Sequence, residues 1–415
     1  MRTGYKAMRC GLIGERLGHS FSPPIHNELA DYSYGLYELG RDELGDFVKN
    51  GGLDAFNVTI PYKQDVIPFL DEISPEARAI GAVNTVVRGQ NGKLRGYNTD
   101  YFGFSHMIDL SGVDVTEKKA VVLGAGGTCL TACAVLRDRG IRELVVLGRA
   151  DNTPENQAKH SDAEIVVNTT PVGMYPKNGL SPADLSIFIN CVCVLDVIFN
   201  PARTALLLQA EERGITYVNG LPMLVAQAAK AFGYFTGDEA EEGCVERITS
   251  IIARKTRNIV LVGMPGCGKS TVGRIIAETL GREFIDADSE FEMMHGISPA
   301  DCINERGEDE FRRLESETLA ALGKMSGIVL ATGGGAVTRE CNYAPLHQNG
   351  SIFFIERDLK KLSRGGRPLS MKTTPEEMYA KRIDAYRRFA DVTVHSNEIA
   401  HDTANRIIAE FEKLN

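Results

Sequence analysis

The sequence predicts an α/β chain built on parallel sheets and divided into two or more domains. Three observations carry that reading. The chain has 415 residues, beyond the length at which a single hydrophobic core keeps growing. Short Val/Ile/Leu runs alternate with amphipathic stretches, the βαβ pattern of a parallel sheet. Two glycine-rich loops each lie between an apolar run and a helical stretch, where such folds bind phosphates.

Composition narrows the class. Apolar residues make up 43% and charged residues 24%, and no apolar run approaches the length of a membrane span, so a soluble globular protein is expected. The first residues show no basic segment followed by an apolar stretch, so no export signal is expected. Nine cysteines form no C-x-x-C pair, and Cys191 and Cys193 lie within one apolar run. Metal and disulfide use are disfavoured, and a reduced, cytoplasmic chain is expected. A net charge of −9 argues against a nucleic-acid surface. The expected partners are small molecules; oligomeric state is not readable.

Along the chain, four polar clusters come first, each beside apolar residues suited to strands or helices. They are Gly18 to Asn27 (GHSFSPPIHN), Asn57 to Lys63 (NVTIPYK), Gly81 to Thr85 (GAVNT) and Gly96 to Asp100 (GYNTD). A strand at Ala120 to Leu123 then leads into Gly124-Ala-Gly126-Gly127-Thr-Cys129, which opens a helix as a dinucleotide phosphate loop does. The next strand, Leu144 to Leu147, ends at Gly148-Arg149. A ribose 2′-hydroxyl calls for an acid there and a 2′-phosphate for a cation, so Arg149 favours NADPH over NADH. A polar string of about fifteen residues, including Asp151 to Asp162, leads to strands at Ile165 to Val167 and Val192 to Val197. A charged helical segment, Glu239 to Lys255, precedes strands at Ile259 to Val262, Ile328 to Ala331 and Ile352 to Ile355. The boundary near Arg254 to Asn258 has no Gly/Ser- or Pro-rich spacer, so a helix is expected to run almost directly into a strand.

The second glycine loop, Gly263-Met-Pro-Gly266-Cys-Gly268-Lys269-Ser270-Thr271, matches G-x-x-x-x-G-K-[ST] in its strand-to-helix context. Its backbone N–H groups can wrap the phosphates of ATP, Lys269 can reach the outer phosphates, and Ser270 can ligate Mg2+. From Asn258 onward the chain resembles shikimate kinases, on Phe284-Ile-Asp286-Ala-Asp288, Gly307-Glu-Asp-Glu-Phe311-Arg312, Thr332-Gly333-Gly334-Gly335, Arg367-Pro368-Leu369, and Arg382 with Tyr386. The resemblance implies that Asp286 assists the metal and that Asp288 holds the accepting hydroxyl. Arg312 and Arg382 would bind the substrate carboxylate, Gly333 to Gly335 would let backbone N–H groups approach the substrate closely, Arg367 would meet the transferred phosphoryl group from a lid, and Arg364 would lie near the adenine.

The four polar clusters resemble the substrate lobe of shikimate dehydrogenases, and the likeness runs from Gly11 to about Gly237. It implies that Ser20 and Ser22 bind the substrate carboxylate and that Thr59, Asn84, Asp100 and Gln227 hydrogen-bond the ring. Lys63 would relay a proton to the carbonyl oxygen while Asp100 orients it; Gly124, Gly126, Gly127 and Arg149 would hold the cofactor. Phe199 stands where the family usually places a tyrosine. His19 and His26 read as turn and packing residues.

The expected organisation is a substrate lobe at 1–110, completed by helices at about 221–254, an abridged Rossmann-like NADP lobe at 111–220, and a P-loop kinase domain with a parallel sheet at 256–415. The chain would reduce 3-dehydroshikimate with NADPH and phosphorylate the shikimate formed with ATP and Mg2+. The alternative for the first half is a shikimate-binding module that has lost turnover, because its cofactor lobe is short.

Overall fold

The computed structural model describes residues 2–18, 20–362, 374–396 and 399–414. His19, Arg364 and Arg367 lie outside the described residues. The chain divides into two compact units: 1–174 with 180–199 and 206–252, and 253–415 with 175–179 and 200–205.

The first unit carries two sheets. One is six-stranded and mixed, in the order β2-β1-β3-β5-β6-β4: β1 (Arg9–Gly14), β2 (Ser33–Glu38), β3 (Ala55–Val58), β4 (Glu72–Ile73), β5 (Thr85–Arg88) and β6 (Leu94–Tyr97). β1 pairs in parallel with β2 and β3, whereas β5 runs antiparallel to β3 and β6. The β5–β6 hairpin closes where the Gly89 N–H meets the Lys93 carbonyl at 2.8 Å. The helix Leu221–Thr236 returns late in the chain to pack on the helix Asp100–Ser111 and on β3 and β5. Gly103 permits that crossing: a Cβ there would lie 2.6 Å from the Met223 carbonyl oxygen.

The second sheet is five-stranded and all parallel, in the order β11-β10-β9-β7-β8: β7 (Lys119–Leu123), β8 (Glu143–Leu147), β9 (Ile165–Asn168), β10 (Cys193–Asp196) and β11 (Thr216–Val218). β7, β9 and β10 are buried along their whole length, as expected of strands covered on both faces. Cys193 packs into one face of this sheet and Cys191 into the other. The polar string after β8 reads as connection only, yet it forms a short helix, Pro154–Ala158. Thr153 caps it, its hydroxyl accepting from the Asn156 N–H, and Pro154 opens it; both devices favour a helix start.

The second unit is organised on a parallel sheet in the order β13-β14-β12-β15-β16: β12 (Asn258–Val262), β13 (Phe284–Asp286), β14 (Val329–Ala331), β15 (Gly350–Glu356) and β16 (Val392–His395). Its core joins β12, β14 and β15 to the helices Lys269–Leu280 and Ala400–Lys413. One residue, Arg257, separates the helix Cys244–Thr256 from β12. Among the described residues no helix is long and apolar enough to cross a membrane.

Candidate active sites

The first site grows from the end of β3. Beyond Val58 the chain turns through Thr59 and a cis Ile60–Pro61 bond to Tyr62 and Lys63. Tyr62 is fully buried, and its hydroxyl donates to the Leu39 carbonyl. Thus anchored, the turn presents the Lys63 Nζ 2.6 Å from Oδ2 of Asp100, at the start of the helix Asp100–Ser111. Both side chains are largely buried, at 15% and 9% exposure. Water therefore screens the pair little.

Around that ion pair runs a buried chain of hydrogen bonds. Asn84 Oδ1 accepts from the Thr99 N–H at 2.7 Å and from the Thr99 and Thr85 hydroxyls. The Thr99 hydroxyl reaches Gln227 Oε1 at 3.3 Å. Asn57 Nδ2 donates to Thr85 Oγ1 and to the Asn84 carbonyl, and Asn57 Oδ1 accepts from the Tyr34 hydroxyl at 2.8 Å. His26 stacks on Tyr34 with ring centroids 3.9 Å apart and meets the Tyr32 hydroxyl through Nδ1. The structure thus brings Lys63, Asp100, Asn84 and Gln227 together, with Thr99 between them. Tyr34 is missing from the sequence reading, and Asn57, Thr85 and Thr99 lie in its polar clusters without a role. The alternation Asn57-Val58-Thr59 in a buried strand was the available signal for Asn57.

Ser20 and Ser22 share a turn in which the Ser22 N–H donates to Ser20 Oγ. Phe21, between them, meets Phe199 edge-on with ring centroids 5.3 Å apart. Thr59 is held by its N–H to the Ile13 carbonyl. The dinucleotide loop approaches Lys63: a Cβ on Gly127 would lie 3.7 Å from Lys63 Cδ. Gly124 sits at φ +117°, and a Cβ there would strike Thr169 Oγ1 at 2.5 Å. Gly126 caps the helix Gly127–Asp138 and faces open space. Arg149 is exposed just beyond β8.

The second site lies at the C-terminal end of β12. Gly263, Gly266 and Gly268 all have positive φ, a conformation that only glycine adopts freely. Lys269 is buried over its own loop, Nζ donating to the carbonyls of Gly263 and Met264 at 2.8 and 3.1 Å. Ser270 Oγ donates to Asp286 Oδ2 at 2.6 Å, and Asp286 Oδ1 caps the next helix through the Asp288 N–H. A hydroxyl and a carboxylate side by side are hard oxygen donors of the kind Mg2+ prefers, so these residues fit that ion.

Opposite the loop, Gly333 to Gly335 hold four neighbours at close range. A Cβ on Gly333 would lie 2.6 Å from Glu315 Oε1 and 3.1 Å from Asp288 Oδ1. On Gly334 it would meet Pro265 at 2.6 Å, and on Gly335 the Arg312 guanidinium at 2.1 Å. Arg382 Nη1 and the Tyr386 hydroxyl both donate to the Gly334 carbonyl. A cavity of about 510 Å³ joins Lys269, Thr271, Asp288, Arg312 and Arg382. Glu315, absent from the sequence reading, accepts from Arg312 Nη1 at 2.7 Å, both side chains being almost fully buried. Burial raises the Glu315 pKa above the usual carboxylate range, and Arg312 opposes the rise. Its spacing of three residues from Arg312 on one helix was the available clue.

Comparison with known proteins matches each half separately. Residues 12–86 match the shikimate dehydrogenase substrate binding domain family, and residues 265–412 match the shikimate kinase family. A shikimate dehydrogenase (NADP(+)) of Clostridium beijerinckii is 39% identical over 241 residues, 53% of this chain and 89% of that protein. The crystal structure of shikimate dehydrogenase 1 from Peptoclostridium difficile aligns with a TM-score of 0.53 at 35% identity, covering 59% of this chain and 97% of that one. A chorismate mutase/shikimate 5-dehydrogenase fusion from Clostridium acetobutylicum aligns with a TM-score of 0.56 at 35% identity, again over 59% and 97%. Lys63 lies in the first matched segment and the Gly266-Cys-Gly268-Lys269-Ser270 part of the phosphate loop in the second: the chain belongs to the shikimate dehydrogenase family and carries a shikimate kinase domain after it.

Proposed function

We propose that the first unit reduces 3-dehydroshikimate to shikimate with NADPH and that the second transfers a phosphoryl group from ATP to the 3-hydroxyl of shikimate. The observation that carries the first half is the Lys63–Asp100 contact beside the dinucleotide loop. As hydride reaches the carbonyl carbon, negative charge grows on its oxygen. Lys63 supplies the proton at that atom while Asp100 holds the ammonium in place. Ser20 and Ser22 bind the substrate carboxylate; Thr59, Asn84 and Gln227 hold the ring. Gly124, Gly126 and Gly127 receive the cofactor diphosphate, and Arg149 its 2′-phosphate. A Thermus thermophilus shikimate 5-dehydrogenase solved in complex with NADP(H) and shikimate, 30% identical with a TM-score of 0.52, supports this reading.

For the second half the cavity between the phosphate loop and the glycine triplet carries the reading. Arg312 and Arg382 grip the carboxylate, for which planar guanidinium forks are suited. Asp288 orients the accepting hydroxyl and takes its proton, and Lys269 leaves its loop carbonyls for the phosphates. Ser270 and Asp286 would hold Mg2+, which screens phosphate charge when bound. Arg367 and Arg364 are assigned to the lid by resemblance alone.

One experiment tests both halves. The purified chain is given NADPH and 3-dehydroshikimate, and NADPH oxidation is followed; ATP and Mg2+ are then added and ADP is measured. Both signals are expected. ADP formation from added shikimate without any NADPH oxidation would favour a first unit that only binds shikimate.

A further inference from the structure

The five-stranded sheet of the first unit stops at β8 with backbone groups left over. Among the described residues, β8 has β7 on one side and no strand on the other. The Glu143 N–H donates to the Lys118 carbonyl, and the Leu147 carbonyl accepts from Gly124. Residues 143, 145 and 147 therefore turn their backbone toward β7, and by alternation the N–H and C=O of Leu144 and Val146 point outward. Dinucleotide-binding sheets of this class ordinarily continue one strand further on this side. Here the chain leaves β8 for β9 through the short helix Pro154–Ala158 instead. What remains is an apolar edge: Val146 is 41% exposed, while every residue of β7 is buried. An edge of this kind is a template for another chain.

We propose that a second copy of this chain completes the edge, the two β8 strands pairing antiparallel about a two-fold axis through Val145. The free backbone groups select this register. Leu144 of each copy then faces Val146 of the other, and both pairs exchange two N–H···O bonds, so every outward group on the two strands is used. A shift by one residue would set inward-turned groups against outward ones. A shift by two would oppose Leu144 to Gly148, whose carbonyl already accepts from Asp151 and Asn152. The shift in the other sense would oppose Val146 to Arg142, whose N–H already donates to Lys118. Charge agrees with the chosen register, because Glu143 lies diagonally across from Arg149 of the second copy on the same sheet face, within reach of long side chains. The contact is isologous and closed, so it ends at a dimer. It does not depend on the dehydrogenase reading.

A strand pair alone buries less than the roughly 1,200 Å² of a standard stable interface, so association belongs in the range of about 1 to 100 µM. Sedimentation equilibrium of the full chain across that range should show the mass rising from 45.3 kDa toward twice that value. Val146→Lys places a charge on the edge. Val146→Pro removes only an outward N–H, a position where an edge strand tolerates proline. Each should hold the chain at monomer mass with an unchanged circular-dichroism melt. The register is checked by Val145→Cys in a Cys341→Ser background: the two thiols meet across the axis as a non-hydrogen-bonded pair, so mild oxidation should give a covalent dimer, and Val146→Cys in the same background should give far less. A chain that stays monomeric throughout the series, or a dimer that survives both Val146 variants, overturns the proposal.

Discussion

At the level of single residues, the two units differ in what their buried charges do. In the proposed reductase, Lys63 and Asp100 form a pair whose value lies in a proton delivered at the transition state. Lys63→Ala is expected to lower the rate of dehydroshikimate reduction about a hundredfold or more without changing the KM for shikimate in the kinase assay; steady-state kinetics of both reactions check this. Arg312 and Glu315 form a pair whose value is position. Glu315→Ala removes the buried partner of Arg312 and leaves it only the exposed Glu308 at 3.3 Å; breaking a buried pair costs up to about 3–5 kcal/mol. The substitution should raise the KM for shikimate well above that for ATP, with Glu315→Gln falling between the two. His26 offers a third case. Burial pushes its pKa down to about 3, against about 6.5 in an unfolded chain, so between those values the unfolded state binds the extra proton. Stability of the first unit should therefore fall as pH drops from about 6.5 toward about 3, by up to about 1.4 kcal/mol per pH unit. The urea midpoint for loss of reductase activity, assayed after return to neutral pH, should show this slope, and His26→Phe should flatten it. Sequence made some of these residues visible and hid others for a physical reason. Lys269 and Ser270 belong to a loop whose spacing states its chemistry. Tyr34, Asn57 and Thr99 act through bonds to residues far along the chain, as Asn57 does to Thr85, and no local pattern records such a pairing.

At the level of elements, periodicity served the parallel sheets well. β7, β9, β10 and β12 are continuous apolar runs because both faces are covered, and they lie within a residue or two of the expected positions. The mixed sheet was less legible, since β4 has two residues and β5 and β6 have four each, too few to establish a period. The helix Pro154–Ala158 went unforeseen because a short capped helix depends on Thr153 and Pro154, not on an apolar stripe. Among helix contacts, the crossing of Asp100–Ser111 with Leu221–Thr236 brings Thr99, just before the first helix, to Gln227 on the second. Gly103→Ala would force the two apart against the Met223 carbonyl, an overpacking that typically costs about 1–3 kcal/mol. The expected outcome is a lower Tm for the first unit and a higher KM for dehydroshikimate, with kinase kinetics unchanged.

For the whole molecule, the two proposed reactions would rest on different inorganic needs, and that difference would separate them in one tube. Ser270 and Asp286 offer hard oxygen donors at the second site, whereas the proposed proton delivery at the first site would use an ammonium and a carboxylate. Removing divalent cations with a chelator should abolish ADP formation and leave NADPH oxidation within about twofold of its starting rate, since that proton transfer needs only a positioned acid–base pair; restoring Mg2+ should recover the first signal alone. The restart of the βαβ pattern after Glu239–Lys255 was visible in the sequence. The open edge at β8 was not, because a short connection tells how many residues are missing and not which backbone groups they leave bare. The glycine triplet carries a different kind of consequence, for descent. Gly333, Gly334 and Gly335 are each denied a side chain by a different neighbour: Glu315 with Asp288, Pro265, and Arg312. No single compensating change can relieve all three, so lineages that diverge freely at the surface should drift least here, each position tethered to its own partner and none able to move ahead of it.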